Sequence, residues 1–202
     1  MAVINLSNPR LWNAKYLEAI TRPRIHNLLY GGAGSGKSQT MIQFFLAQIL
    51  DTKVNHNQTF VVLRKVAATI RNSVYGDFKN KVTEWGMEGL VRCYDGLFEI
   101  RHGTNRIIMM GVDNPEKLKS LTQAKFIWME EATEFSREDY IQITLRLRGL
   151  SEHPKRFFLT FNPVSDSHWI KERFFDKPPE LERDKILTLH STYRDSLEFL
   201  DA

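Results

Sequence analysis

The sequence predicts an α/β fold, a central, mainly parallel sheet flanked by helices, on three observations. A buried-strand pattern at residues 25–30 runs into Gly31-Gly32-Ala33-Gly34-Ser35-Gly36-Lys37-Ser38, and an apolar helical pattern follows over 39–50. A second apolar run, 59–63, comes after that helix and a polar turn, and strands joined through a helix lie parallel. Two more apolar runs, 126–129 and 156–161, each end in polar or acidic residues, as strands do when they deliver side chains to one edge of such a sheet.

The glycine-rich stretch matches G-x-x-x-x-G-K-[ST], and a strand before it with a helix after it is the setting of a phosphate-binding loop. Gly31, Gly32, Ala33, Gly34, Ser35 and Gly36 can turn successive backbone N–H groups toward β- and γ-phosphates. Lys37 adds a mobile positive charge and the Ser38 hydroxyl is placed to ligate Mg²⁺. Gln39 opens the helix whose positive dipole end faces the site. The fold class is therefore that of P-loop nucleoside triphosphatases.

The chain has 202 residues, 42% hydrophobic and 26% charged, which suits one soluble globular domain. No stretch is long and apolar enough for a membrane span, and the N-terminus lacks a secretory pattern. The single cysteine, Cys93, excludes an internal disulfide framework and points to a reducing, intracellular setting. A net charge of +4 is compatible with a nucleic-acid partner and equally with a plain solvated surface.

In chain order, residues 8–20 read as a helix capped by Asn8 with Pro9 in its first turn. Its Trp12 and Tyr16 are assigned to core packing ahead of contact with a base. The 59–63 strand ends in Arg64-Lys65, where basic side chains meet either the ligand crevice or solvent. Residues 66–85 continue as a long helix closed by Trp85-Gly86. Residues 97–101 and 106–110 flank His102-Gly103-Thr104-Asn105 as a β-hairpin, and a short helix is expected at 116–121. Pro178-Pro179 is the best candidate boundary: residues 1–178 are expected to form the P-loop domain, and 179–202 to supply a final strand at 186–190 and the start of a linker or lid. The abrupt end at Leu200-Asp201-Ala202 reads as that of a fragment.

The 126–129 strand ends in Glu130-Glu131. Two adjacent carboxylates repel unless a cation is present, and a nucleotide-bound Mg²⁺ supplies one. Glu130 is assigned to the metal, and Glu131 to orienting and polarising the attacking water. Thr160 and Asn162 at the end of the 156–161 strand suit a γ-phosphate sensor, although Asn162-Pro163 is also an ordinary turn signal. Arg146 and Arg148 end a helix that starts at Arg137. Either could spread transition-state charge, in its own or a neighbouring subunit, but two residues apart they cannot face the same way.

Taken together these residues resemble the N-terminal ATPase domain of the large terminase subunit, the DNA-packaging motor of tailed bacteriophages. The carriers are Gly31–Ser38 as Walker A, residues 126–131 as Walker B with the catalytic glutamate, and Thr160 to Asn162 as the coupling motif. Leu63-Arg64-Lys65, Asn114-Pro115-Glu116-Lys117-Leu118-Lys119 and Leu145-Arg146-Leu147-Arg148-Gly149 add to them. The resemblance implies an ASCE-type ATPase that binds ATP and Mg²⁺ and works in the host cytoplasm at the procapsid portal. It implies a ring-forming homo-oligomer on double-stranded DNA, with the portal protein and the small terminase subunit as partners; an isolated subunit can be monomeric. The family's C-terminal nuclease domain is expected to be absent from this chain. Many relatives carry an arginine inside Walker A where this chain has Ala33, which shifts attention to Arg64, Arg146 and Arg148. The first Walker B acid is often Asp, and the longer Glu130 favours metal contact through water.

The alternatives are another nucleic-acid-dependent P-loop motor of helicase or recombinase type, and a nucleotide-binding switch. A guanine-reading N-K-x-D is missing, since Asn80-Lys81-Val82-Thr83 lacks the Asp. A small-molecule kinase would not need the paired Glu130-Glu131, and a non-enzymatic DNA-binding module would not need the phosphate loop.

Overall fold

The fold was analysed in a computed structural model that describes residues 5–22, 24–113, 124–146, 155–163 and 165–200. The strands are β1 (His26–Gly31), β2 (Thr59–Arg64), β3 (Arg92–Tyr94), β4 (Glu99–His102), β5 (Asn105–Gly111), β6 (Ala124–Glu130), β7 (Arg156–Phe161) and β8 (Ile186–Ser191). They form one sheet in the order β3-β4-β5-β2-β6-β7-β1-β8. β5, β2, β6, β7, β1 and β8 run parallel, and β3 and β4 extend the sheet antiparallel beyond β5. The helices used below are α1 (Leu17–Thr21), α2 (Lys37–Leu50), α3 (Val74–Glu84) and α4 (Arg137–Arg146).

The continuous apolar runs of β2, β6 and β7 are explained by burial on both faces, the usual state of a parallel sheet. On one face α2 and α3 cover Phe60, Trp128 and Phe158 with Phe45 and Phe78. On the other, Tyr140 and Ile143 of α4 join Phe135 over Ile127, Met129 and Leu159. Every parallel strand thus points its C-terminal end toward the edge where α2 begins. No helix among the described residues is long and apolar enough to cross a membrane.

Three sequence expectations need correction. Residues 8–20 are not one helix: two short 3-10 turns, Pro9–Leu11 and Ala14–Tyr16, precede α1. Asn8 caps the first as expected. Asn13, however, caps the second by accepting from the Lys15 N–H, and Trp12 between them is extended. Asparagine side chains that bond nearby backbone compete with helix continuation. Residues 66–85 are likewise divided, into a 3-10 turn Ala67–Thr69 and α3, with the Ser73 hydroxyl donating to the Thr69 carbonyl at the break. β3 was not anticipated, because three residues are too few to carry a readable alternation. The hairpin of β4 and β5 forms as expected around Gly103. The helix expected at 116–121, residues 147–150 with Arg148, and the Arg146 side chain lie outside what is described.

His26, at the start of β1, is buried against Phe157, with ring centroids 5.5 Å apart, and its Nδ1 lies 3.2 Å from the Tyr140 hydroxyl. Burial, outweighing attraction to Glu182, lowers its pKa to about 4. An unfolded histidine takes up its proton near pH 6.5, so between pH 6.5 and 4 the unfolded state binds a proton that the folded state refuses. Stability present above pH 6.5 should therefore fall by about 3 kcal/mol as the pH drops to 4. Thermal melts across that window should show the slope in the wild-type chain and a flatter profile in His26→Phe.

Candidate active site

The site is built where β1 hands over to α2. Gly36 caps α2 in the left-handed region at φ 81°, and a Cβ there would lie 2.5 Å from the Ser196 hydroxyl. Gly31 is tighter still, because a Cβ would sit 1.8 Å from the Ser191 carbonyl oxygen of the neighbouring β8. Both positions require glycine on steric grounds. Between them Gly32, Ala33 and Gly34 form an exposed crest, while the Ser35 and Lys37 side chains are buried.

Two elements from distant parts of the chain hold this loop from below. The Tyr16 side chain is fully buried; its hydroxyl donates to the Ser35 carbonyl at 2.5 Å and lies 2.6 Å from the Ser191 hydroxyl. The Asn13 amide donates to the Asp195 carbonyl at 2.8 Å and to the Ser196 hydroxyl at 3.0 Å. The segment after β8 is therefore tied to the N-terminal turns directly beneath the phosphate loop. Sequence reading placed Tyr16 in the core correctly but missed its polar task. Thr192 and Asp195, which form a capping box, were the one local signal that chain after β8 stays ordered.

Lys37 Nζ is folded back onto its own loop, 2.8 Å from the carbonyls of Gly31 and Gly32 and 3.0 Å from the Ser35 hydroxyl. It also donates to Asn162 Oδ1 at 3.1 Å, which joins the phosphate loop to the end of β7. Burial lowers the Lys37 pKa, against the opposing pull of Glu131 and Glu130. Ser38 donates from Oγ to Glu130 Oε1 at 3.1 Å. That contact brings together the two oxygen side chains expected to hold a divalent cation.

Glu130 closes β6, and its second carboxylate oxygen is paired with the buried Arg64 guanidinium at the end of β2. Arg64 reaches on to Glu134 at 3.5 Å. Sequence reading left Arg64 open between the ligand crevice and solvent. It is buried, and it pairs with the Glu130 carboxylate. Glu131 follows in a left-handed backbone conformation, φ 52° and ψ 56°, rare for a residue with a Cβ and costing on the order of 1–3 kcal/mol. Burial first, then the Glu130 charge, raises the Glu131 pKa, while Arg64 and Lys37 oppose the rise. Thr160 is nearly fully buried, and its hydroxyl accepts from Trp128 Nε1 at 2.8 Å, so Asn162 makes the polar link to Lys37.

A cavity of about 840 Å³ joins these groups. Its lining includes residues 33–39 of the loop and α2, Glu130, Glu131, Thr160 and Asn162, together with Arg10, Asn13, Ser196 and Phe199 from the two chain ends. Its size is in the range of nucleotide and cofactor sites. Gln39 is exposed at its rim. The donor set fits a magnesium nucleotide. Ser38 and Glu130 converge as hard oxygen ligands, and the Lys37 ammonium rests on carbonyl oxygens that an anionic phosphate would outcompete.

Comparison with known proteins agrees with this geometry. The family model described as phage terminase large subunit matches residues 24–202. The PBSX phage terminase large subunit of Bacillus subtilis (strain 168) is 33% identical over 154 residues, 74% of this chain and 34% of the relative. The large terminase of a thermophilic bacteriophage, solved in complex with ADP, superposes with a TM-score of 0.73 at 20% identity, over 93% of this chain and 47% of that one. The ATPase domain of the Thermus phage P74-26 large terminase gives 0.64 at 14% identity, over 85% and 78%. The chain thus spans about a third of the curated relative's length. With the family match covering the phosphate loop, the carboxylate pair and all eight described strands, the chain belongs to the phage terminase large subunit family.

Proposed function

We propose that the chain is the ATP-hydrolysing motor domain of a large terminase, driving double-stranded viral DNA into a procapsid. The observation that carries this reading is the pair of hydrogen bonds that tie the start of α2 to two strand ends, Lys37 to Asn162 after β7 and Ser38 to Glu130 of β6, with Glu131 close enough to feel the Lys37 and Glu130 charges. In the family's setting its partners are a ring of further copies of itself, the portal protein and the small terminase subunit, in the cytoplasm of the infected host. The ADP complex of the thermophilic-phage relative supports a nucleotide in the cavity. The domain line proposed is 1–178 for the ATPase core and 179–202 for the last strand and the start of a lid or linker.

The loop amides and Lys37 would bind the phosphates, and Ser38 and Glu130 would hold Mg²⁺. A bound Mg²⁺ would neutralise charge on the β- and γ-phosphate oxygens. Glu131, more basic than a surface carboxylate, orients the attacking water and draws on its proton. Asn162 reports the state of the phosphates through its contact with Lys37, while Thr160 anchors the same strand end to Trp128. Ala33 supplies no charge in the loop. Arg64 can offset the carboxylates in cis, and Arg146 or Arg148 from a neighbouring copy would complete charge stabilisation.

Steady-state phosphate release tests this, with ATP and with GTP, over a range of protein concentrations and with or without duplex DNA. ATP-selective turnover that rises more steeply than linearly with concentration is the expected result. Nucleotide binding without turnover under every condition would overturn the motor reading in favour of a switch.

A further inference from the structure

The antiparallel extension of the sheet places three arginines directly opposite one another. Arg92 of β3 pairs in register with Arg101 of β4, and Arg101 with Arg106 of β5. Directly opposed residues share a sheet face, so the three form a row about 10 Å long across adjacent strands. Arg92 and Arg106 are exposed and Arg101 is half-buried. Beneath the row lies the buried Glu99, which accepts from Arg101 at 2.7 Å and lies 3.8 Å from Arg106. The Arg101 guanidinium also sits 4.7 Å from the centre of the Tyr94 ring.

Like charges opposed across strands are destabilising, and one carboxylate offsets only one of three guanidinium charges. Protection of an exposed sheet edge would require charge on β3 alone, whereas Arg101 and Arg106 stand on inner strands. The Arg92 side chain is exposed and makes no hydrogen bond or ion pair with another described residue. Glu99 and Tyr94 hold the middle of the row in place, leaving an oriented strip with two uncompensated charges. Such a strip suits a polyanion with regularly spaced charges. Duplex DNA presents one charge about every 1.7 Å along its axis, so several phosphates fall within its length.

We propose that the Arg92–Arg101–Arg106 row is a contact strip for the phosphate backbone of duplex DNA. This rests on the DNA-motor reading above, and it supplies the DNA-facing surface of that motor. Arg106 stands opposite Thr59, the first residue of β2, so the strip lies at the sheet edge away from the phosphate loop. It can therefore be altered without touching the nucleotide site.

The test is fluorescence anisotropy of a labelled duplex of random sequence, titrated with the purified chain at several salt concentrations. The variants are Arg92→Gln, Arg101→Lys, Arg106→Gln and the combined R92Q/R106Q. A charge-matched control, K53Q/R183Q, changes exposed residues elsewhere. The double variant should bind at least tenfold more weakly than the control, and its slope of log affinity against log salt should shrink by about two. Basal ATP hydrolysis and melting temperature should hold, with Arg92→Gln melting at or above wild type because a like-charge contact is removed. Binding equal to that of the control would overturn the strip while leaving the motor reading intact, as would a wild-type chain with no affinity for duplex. Strip-dependent DNA binding in a chain that never hydrolyses ATP would uphold the strip and overturn the motor.

Discussion

Glu131→Gln should lower steady-state ATP turnover by about a thousandfold while leaving the affinity for ATP within a few-fold of wild type. The substitution keeps the shape of the side chain and removes the charge that polarises water. The hydrogen bonds of its neighbours do not use that carboxylate, since Lys37 rests on loop carbonyls and Asn162, and Ser38 on Glu130; only the electrostatic pull of Glu131 on Lys37 is lost. Loss of the charge also relieves repulsion with Glu130, which contributes to the raised Glu131 pKa. Phosphate release measured alongside binding of a fluorescent ATP analogue separates the two effects. Near-normal turnover would remove Glu131 from catalysis. A parallel loss of binding would mean that the carboxylate serves the architecture of the site and not the attacking water.

The largest effect on stability is expected at a residue that touches no nucleotide. Arg156, at the start of β7, is buried, and its guanidinium donates to the carbonyls of Ala19, Arg22 at 2.8 Å, Ile20 at 3.2 Å and Arg24 at 3.3 Å. It thereby satisfies carbonyls at the end of α1 and in the turn leading to β1, groups that a helix terminus leaves without partners. Its plane also lies over the Phe158 ring at 4.9 Å and the Phe126 ring at 5.5 Å. Burial lowers its pKa to about 10, so it remains charged at neutral pH. Arg156→Ala would strand those carbonyls and open a cavity between the rings, costing about 4 kcal/mol and lowering the melting temperature by roughly 10 °C. Arg156→Met, which keeps an apolar stem on the rings, should recover part of that loss. Equal melting temperatures for Arg156→Ala and wild type would show that solvent satisfies the carbonyls instead.

Much of the fold and part of the site were legible in the residues. Local rules sufficed for the phosphate loop, because the strand, the glycines and the helix start all lie within about 25 consecutive residues. The parallel core followed from two-sided apolar runs, and the acidic pair was readable from its place at a strand end. The same reasoning failed at residues 8–20. There Asn13 forgoes a helical position to cap a 3-10 turn and to bond Asp195 and Ser196, far along the chain.

By itself, then, the sequence determined the phosphate loop, the parallel core and the pair of carboxylates at its edge. Each depends on backbone conformation, helix dipole or hydrophobic period over short stretches. Only the tertiary structure decided that Arg64 pairs with Glu130, that Tyr16 braces Ser35, that Asn162 meets Lys37 and that three arginines align across β3, β4 and β5. Those depend on strand order and register, and on where the turns and the phosphate loop come to rest against the strand ends. A one-residue slip in pairing would turn the strand-borne members, Arg64, Glu130 and the three arginines, to the opposite face of the sheet, and what selects the register is burial of the whole core at once.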